Sequence, residues 1–383
     1  MIERSATVLG RRERTQRPVV LASHRADPWL LGALGLLLLL GLVMVLDASF
    51  FLGAEMYGDS WLLARRQFGF ALVAAAEVAI LTRIRSDVFR RFAYPALGVS
   101  IVLLILVLVP GLGEVRNGAR RWLDLGIIPF QPSELAKPAL ALCLAHSLAR
   151  KEARMNSFVD GVLPHLVMAG VPILLLLAEP DFGGAVMMVA LTFAMLFVGG
   201  ARLRHLLAMV FSVLPAVVAL VIFEPYRMRR VIGFLDPFAD AQGSGFQLVQ
   251  SFLAFGNGGV MGVGLGAGKQ KLFYLPEGHT DFIFAILGES MGLLGALFVL
   301  FCFGAIAYRG FAVAARSLDP FSSLLAFGLT FLLVTQAILN IAVVTGLAPT
   351  KGLPLPLMSY GGTSLLTTGL LVGVLLSLSR ETR

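Results

Sequence analysis

The feature that most constrains this 383-residue chain is a series of long apolar runs free of charge, the first from Trp29 to Leu46, recurring almost to the C-terminus. Such runs lack the period-two alternation of a membrane barrel strand, so each reads as a helix that crosses a bilayer with its backbone bonded internally. Scanning for windows of about 17 to 25 mostly apolar residues gives ten spans. They lie near residues 28–50, 67–82, 93–110, 134–149, 161–178, 183–200, 205–223, 281–307, 321–346 and 363–379. Charged residues make up 14% of the chain, well below the quarter or so of a soluble domain, which excludes an ordinary soluble enzyme. The expected fold is an all-α polytopic membrane protein of about ten transmembrane helices, with a large extracytoplasmic loop between helices 7 and 8.

Lys and Arg outnumber Asp and Glu by 31 to 23, which in a soluble chain would suggest nucleic-acid binding. Here the positive-inside rule explains the excess, and no nucleic acid is expected as a partner. An arginine-rich tail, residues 1–27, would lie in the cytoplasm; with the short segments on its side of the membrane it holds 19 of the 31 basic residues. An even number of spans then returns the C-terminal tail, 380–383, to the cytoplasm, leaving 28–379 as one transmembrane domain. No small-residue cleavage site follows the tail, so the first span is read as retained rather than as a signal peptide. Cys143 and Cys302 both lie inside apolar runs, which argues against a disulfide framework or a metal cluster. No internal repeat is evident.

Polar residues collect in two segments on the other side, 111–133 and 224–280, and long polar loops on a membrane protein are where function tends to sit. The glycine run Gly262 to Gly268, ending in Lys269, is not a nucleotide loop: Gln270 stands where Ser or Thr is required, so a flexible loop or close backbone packing is the better reading. Ionisable residues at span ends are stronger candidates, since each is costly there. In QPSELAK, Glu134 and Lys137 share a helical face, although Ser133 as a helix cap and a simple Glu134–Lys137 pair would explain the motif equally well. In AEPDFG, Asp181 is a candidate or merely a turn residue. Glu77 and Glu289 lie deeper, where a carboxylate must be neutral or hydrogen-bonded. The densest cluster is residues 273–289, where Glu277, His279, Thr280 and Asp281 meet the apolar span. A partly desolvated Asp281 suits a general base; equally, Thr280 and Asp281 would only start the helix. His279 and Asp281 alone fall short of a metal site.

Four segments, NGARRWLDLGIIPFQPSELAK (117–137), EPDFGGA (179–185), QKLFYLPEGHTDFIFAILGE (270–289) and PTKGLPLPLMSYGGTSLL (349–366), resemble the SEDS family of bacterial cell-shape and division polymerases, RodA and FtsW, over nearly the whole chain. PEGHTDF and PTKG look more like the FtsW branch. Two departures stand out: Leu46 and Asp47 replace the family's common Tyr-Ser at the end of the first span, and Ser290 replaces the second of two glutamates.

The resemblance implies an inverting peptidoglycan glycosyltransferase that polymerises lipid II outside the cytoplasmic membrane, at the division septum. It places the family's essential aspartate on Asp281 and further motif residues on Glu134, Lys137 and Asp181. Arg120, Arg121, His279, Lys351 and, less directly, Arg229 become candidates for substrate binding, the cations among them for holding pyrophosphate. The implied partners are lipid II, a class B penicillin-binding protein with transpeptidase activity, and other divisome proteins. No cofactor is required, although a divalent cation, Mg²⁺ or Mn²⁺, could assist the leaving group. A lipid II flippase and a non-enzymatic division scaffold are the competing readings. Crowding of polar groups at one face, rather than along a path through the spans, favours surface chemistry.

Overall fold

The computed structural model describes residues 26–382 except 117, 118, 125, 127, 128, 271–274 and 276. The expected cytoplasmic tail, up to residue 25, lies outside the described residues. Thirteen α-helices follow in order: α1 Pro28–Tyr57, α2 Leu62–Leu81, α3 Ser86–Arg91, α4 Ala93–Leu108, α5 Pro132–Lys151, α6 Leu163–Ala178, α7 Phe182–Val198, α8 Leu203–Ile222, α9 Pro225–Leu235, α10 Phe246–Gly258, α11 Ile283–Arg316, α12 Pro320–Val344 and α13 Gly362–Arg380. All except α3, α9 and α10 correspond one to one with the ten spans read from the apolar runs. Among the described residues, five segments are individually long and apolar enough to cross a membrane: α1, Phe158–Ala178, α11, α12 and α13.

Local signals set the helix ends. Asp27 accepts from the N–H groups of Trp29 (3.0 Å) and Leu30 (3.1 Å), Pro28 occupies the first turn, and Gly58 closes α1 in the left-handed region at φ 69°. Asp319 likewise accepts from Ser322 N at 3.1 Å to begin α12. Helix α11 packs against α1, α10 and α12, while α5 packs against α4, α7 and α12, and α2 lies along α13. Fully buried Leu37, Met44, Leu140, Leu144, Met187 and Met188 fill the core between these helices. Large apolar side chains such as Leu39, Leu174, Phe211 and Phe301 are exposed on the bundle's outside, as suits a protein solvated by lipid.

Two features go beyond the helical expectation. The α4–α5 connection contains an antiparallel sheet of β1 Gly113–Arg116, β2 Ala119–Asp124 and β3 Pro129–Phe130, with Glu114 opposite Trp122 and Leu123 opposite Phe130. Segment 224–280, expected as a loop, contains α9 and α10. Chain direction places the α1–α2, α4–α5, α6–α7, α8–α11 and α12–α13 connections at one end of the bundle, and all four motif segments converge there.

If the bundle spans the membrane as its connectivity requires, Gln242→Cys and Leu318→Cys fall on opposite sides. An impermeant thiol reagent applied to intact cells should label the first and spare the second. The native Cys143 and Cys302 are free and buried, and should stay silent. Labelling of both variants, or of Leu318→Cys alone, would contradict this arrangement.

Candidate active site

The entry to α11 is organised around Asp281. The residue at the helix cap is Phe282, with no side-chain hydrogen bond, so Asp281 does not start the helix through its carboxylate. The Thr280 hydroxyl is turned backwards too, donating to the Glu277 carbonyl at 3.1 Å and to its carboxylate at 2.7 Å. Asp281 is partly buried, and its Oδ2 lies where a Cβ on Gly352 would approach to 2.8 Å. Glycine at 352 therefore lets the 349–361 connection close over the carboxylate. Burial pushes the Asp281 carboxyl up to about 7; nearby Glu277 adds to the rise and Arg230 opposes it.

Buried amides hold that connection in place. The Asn340 amide donates to the carbonyls of Asp281 (2.7 Å) and Leu353 (2.6 Å), joining the α11 entry to the loop. Gln336 donates to Pro354 O at 3.0 Å, and Gln67 to Ser359 O at 3.1 Å. Ser359 Oγ donates to Thr280 O at 2.5 Å, and Tyr360 N donates to His279 O at 2.9 Å. The His279 ring lies 5.6 Å from that of Tyr360, and burial lowers its basicity against the opposing pull of Glu277.

Two cations are held at this loop, one toward Asp281 and one toward Asp181. Arg230, on α9, donates to Thr350 O at 2.9 Å and is the positive charge felt by Asp281. Lys351 runs over Gly183, where a Cβ would meet its Cε at 2.5 Å, and its Nζ stands 5.9 Å from the Phe182 ring centre. Burial lowers the Lys351 ammonium to about 8, Asp181 counteracting and Lys137 and Arg230 reinforcing the fall. Asp181 also caps α7, accepting from Gly184 N at 2.9 Å, so the turn reading holds for it while its charge also acts on Lys351. Beside it Glu179 is fully buried, and neither carboxylate oxygen has a hydrogen-bond partner among the described residues. Burial, then Asp181, raises its carboxyl to about 8 against the pull of Arg121, leaving it mostly protonated at neutral pH.

The remaining sequence candidates are distributed differently. Adjacent residues of a strand point to opposite faces, and so Arg121 reaches the carbonyls of Glu179 (3.3 Å) and Pro180 (2.5 Å) while Arg120 reaches Leu108 O (3.4 Å) at the end of α4. Glu134 and Lys137 pair at 2.8 Å, with Lys137 also donating to Gln336 at 2.9 Å. Both are almost wholly buried and line a small cavity with Pro356, Thr367 and Thr368. The cap reading of this motif is corrected: Gln131 precedes α5 without a side-chain cap, and the buried Ser133 hydroxyl has no partner among the described residues. Arg229 is exposed, and its neighbour Arg230 is the α9 cation that the fold turns to the site. Sequence reasoning also missed Asn340, Gln336 and Gln67, buried amides within apolar spans, whose position there was the available signal. Among the described residues no group of three His, Cys, Asp or Glu side chains is assembled to hold a metal ion. The acidic pair Glu179 and Asp181 is flanked by Arg121 and Lys351, so this donor set does not form a metal cage and no step is derived through one.

Comparison with known proteins agrees with this geometry. The family model FtsW/RodA/SpoVE, described as a cell cycle protein, matches residues 28–383. A probable peptidoglycan glycosyltransferase FtsW from Geobacter sp. (strain M18) is 43% identical over 343 residues, covering 90% of this chain and 94% of the relative. Stage V sporulation protein E of Bacillus subtilis (strain 168) is 40% identical over 348 residues, 91% of this chain and 95% of that one. Among solved structures, a chain of a peptidoglycan synthase complex that coordinates polymerization and crosslinking aligns with TM-score 0.75 at 31% identity, covering 93% of this chain and 98% of its own. The rod shape determining protein RodA of Thermus thermophilus aligns with TM-score 0.69 at 30% identity, covering 93% and 97%. With the ten long helices, the four motif segments at one end of the bundle and a family match from the first span onward, the chain belongs to the FtsW/RodA/SpoVE family of multi-pass membrane proteins.

Proposed function

We propose that Asp281 is the general base of a peptidoglycan glycosyltransferase that polymerises lipid II at the outer face of the cytoplasmic membrane during division. The glycosyltransferase activity rests on the family and its curated relatives. The observation that carries the assignment of Asp281 is the state of its carboxylate: partly buried, unused as a helix cap, raised to about 7, and faced by Arg230. A base with a pKa near the working pH combines an adequate ionised fraction with useful proton affinity.

In this reading Asp281 takes the proton from a sugar hydroxyl, whose oxygen attacks the anomeric carbon of the second lipid-linked sugar. The bond to the lipid pyrophosphate breaks as the new one forms, and the leaving group departs with the electron pair, inverting α to β. In this reading Arg230, the cation beside Asp281, and Lys351, the cation beside Asp181, bind the departing phosphates, with Arg121 beside Glu179. Lys137 is held in a buried pair, which suits organising the cavity beneath the site better than meeting pyrophosphate directly. General-base catalysis is worth about 10²–10⁴ in rate, so positioning of two membrane-confined substrates must provide much of the remainder. Both termini in the cytoplasm, a class B penicillin-binding protein and other divisome proteins as partners, and location at the septum belong to the same proposal. It is supported by the basic-residue asymmetry and by the solved relative's place in a synthase complex. Polar groups concentrate at the site end rather than along a transmembrane path, which favours this reading over a flippase.

Asp281→Asn preserves shape and removes the basic carboxylate. With purified protein, its transpeptidase partner and labelled lipid II, glycan synthesis should fall at least about a hundredfold while substrate binding survives. Near-normal synthesis at equal folded protein would remove Asp281 from the mechanism.

Breaking the buried Glu134–Lys137 pair by either Glu134→Gln or Lys137→Met alone leaves an uncompensated buried charge, a loss of about 3–5 kcal/mol. The double variant should recover most of the thermal stability measured in detergent. If the pair also organises the substrate cavity, the recovered protein should remain slow; wild-type turnover by the double variant would restrict the pair to folding.

A further inference from the structure

Helix α11 is broken one-third of the way along, where Gly292 adopts φ 64° and ψ −160°. The break withdraws two carbonyls and two N–H groups from the helical ladder, and in a bilayer such groups must find partners within the protein. Segment 259–264 provides all four. Val263 N donates to Glu289 O at 3.0 Å and Gly264 N to Ser290 O at 3.0 Å, while Leu293 N donates to Gly259 O at 2.9 Å and Leu294 N to Val260 O at 3.3 Å. The approach requires glycine on both sides, because a Cβ on Gly262 would strike Ser290 O and one on Gly292 would strike Gly262 N. The glycine run is thus grafted onto α11 by backbone bonds.

Two carboxylates fasten the rest of the run. Glu289, 1% exposed, accepts from the N–H groups of Lys269 (3.0 Å) and Gln270 (3.1 Å). Asp47, two-thirds of the way along the long helix α1, accepts from Gly266 N at 2.7 Å and from the Ser290 hydroxyl at 3.0 Å. From Gln270 the chain continues by Leu275 N to Gln270 O (3.1 Å) and Gly278 N to Leu275 O (3.2 Å) into the turn that carries Asp281. Asp47 therefore meets, in one contact set, α1, the broken α11 and the segment leading to the proposed base.

We infer that Asp47 and Ser290 form an acid–hydroxyl latch that positions the segment bearing Asp281, and that Asp47 is a positioning residue for the transferase reaction. The inference rests on Asp281 being the base. Because the two side chains face each other at 3.0 Å with Gly266 N beside them, the carboxylate can be supplied from either helix. Asp47→Ser leaves two hydroxyls and releases Gly266 N; Ser290→Glu sets two carboxylates together; the double variant Asp47→Ser, Ser290→Glu rebuilds one acid and one hydroxyl with the positions exchanged.

The test measures kcat and KM for glycan synthesis from labelled lipid II with the transpeptidase partner present, melting temperature in detergent, and hydrogen exchange at Gly266, Lys269 and Gln270 for all three variants. Each single variant should lower kcat at least about tenfold, set against the roughly hundredfold that a 1 Å misplacement can cost. KM and melting temperature should hold, and Gly266 should lose protection in Asp47→Ser. The double variant should regain kcat to within about threefold of wild type, together with the Gly266 protection. An unchanged kcat in Asp47→Ser, a double variant no better than the singles, or activity that falls only in step with melting temperature would overturn the latch. Asp281→Asn in the same assay separates the two claims: if it stays active, the base assignment fails while the exchange pattern still reports on the latch.

Discussion

A single buried amide supports the arrangement at the centre of this protein. Asn340 is buried in α12, and its amide bridges the carbonyls of Asp281 and Leu353. An unpaired peptide carbonyl at that depth is costly, so one side chain secures two connections that are far apart in sequence. Once Leu353 is fixed, Gly352 closes over the Asp281 carboxylate and Lys351 is carried across Gly183 toward Asp181. The raised proton affinity of Asp281 then follows from backbone placement: the loop partly buries the carboxylate without giving it a capping bond that would lower its pKa.

The same logic operates along α11, where the protein tolerates a broken helix because a neighbouring glycine run completes its hydrogen bonds. Such irregular backbone is stable at membrane depth only when protein covers it. The consequence is mechanical: α1, α10 and α12 all pack on α11, so the segment that enters α11 through Asp281 is referenced to a helix supported by three others.

Much of this was legible in the sequence because the signals are local. Apolar runs located each of the ten long helices, and the four motif segments named Asp281, Lys351, Asp181 and the Glu134–Lys137 pair. Close backbone packing was also the right alternative for Gly262–Gly268. What could not be read were partners set by packing. Arg230 rather than Arg229 faces the site because of how α9 lies against Thr350, 120 residues away. Ser133 looked like a helix cap, but the chain enters α5 through Gln131 with that hydroxyl buried. The departures from the family pattern at Asp47 and Ser290 looked independent, being 243 residues apart, and the fold brings them into hydrogen-bond contact. Glu179 shows no signal of its own in sequence beyond its neighbour Asp181; its buried, unpartnered carboxyl is a property of the folded α6–α7 turn.

The most direct test of the account is the pH dependence of kcat/KM for glycan synthesis. Burial and Glu277 raise the Asp281 carboxyl to about 7 and Arg230 opposes them. A base is idle while protonated, so the rate should climb as pH rises through about 7 and level off above it. Glu277→Gln removes a negative charge that favours the protonated form and keeps an acceptor for the Thr280 hydroxyl, so it should move that limb to lower pH; Arg230→Gln should move it higher. A rate that is already flat above the ordinary carboxylate range, or a limb that neither variant displaces, would contradict Asp281 as the base.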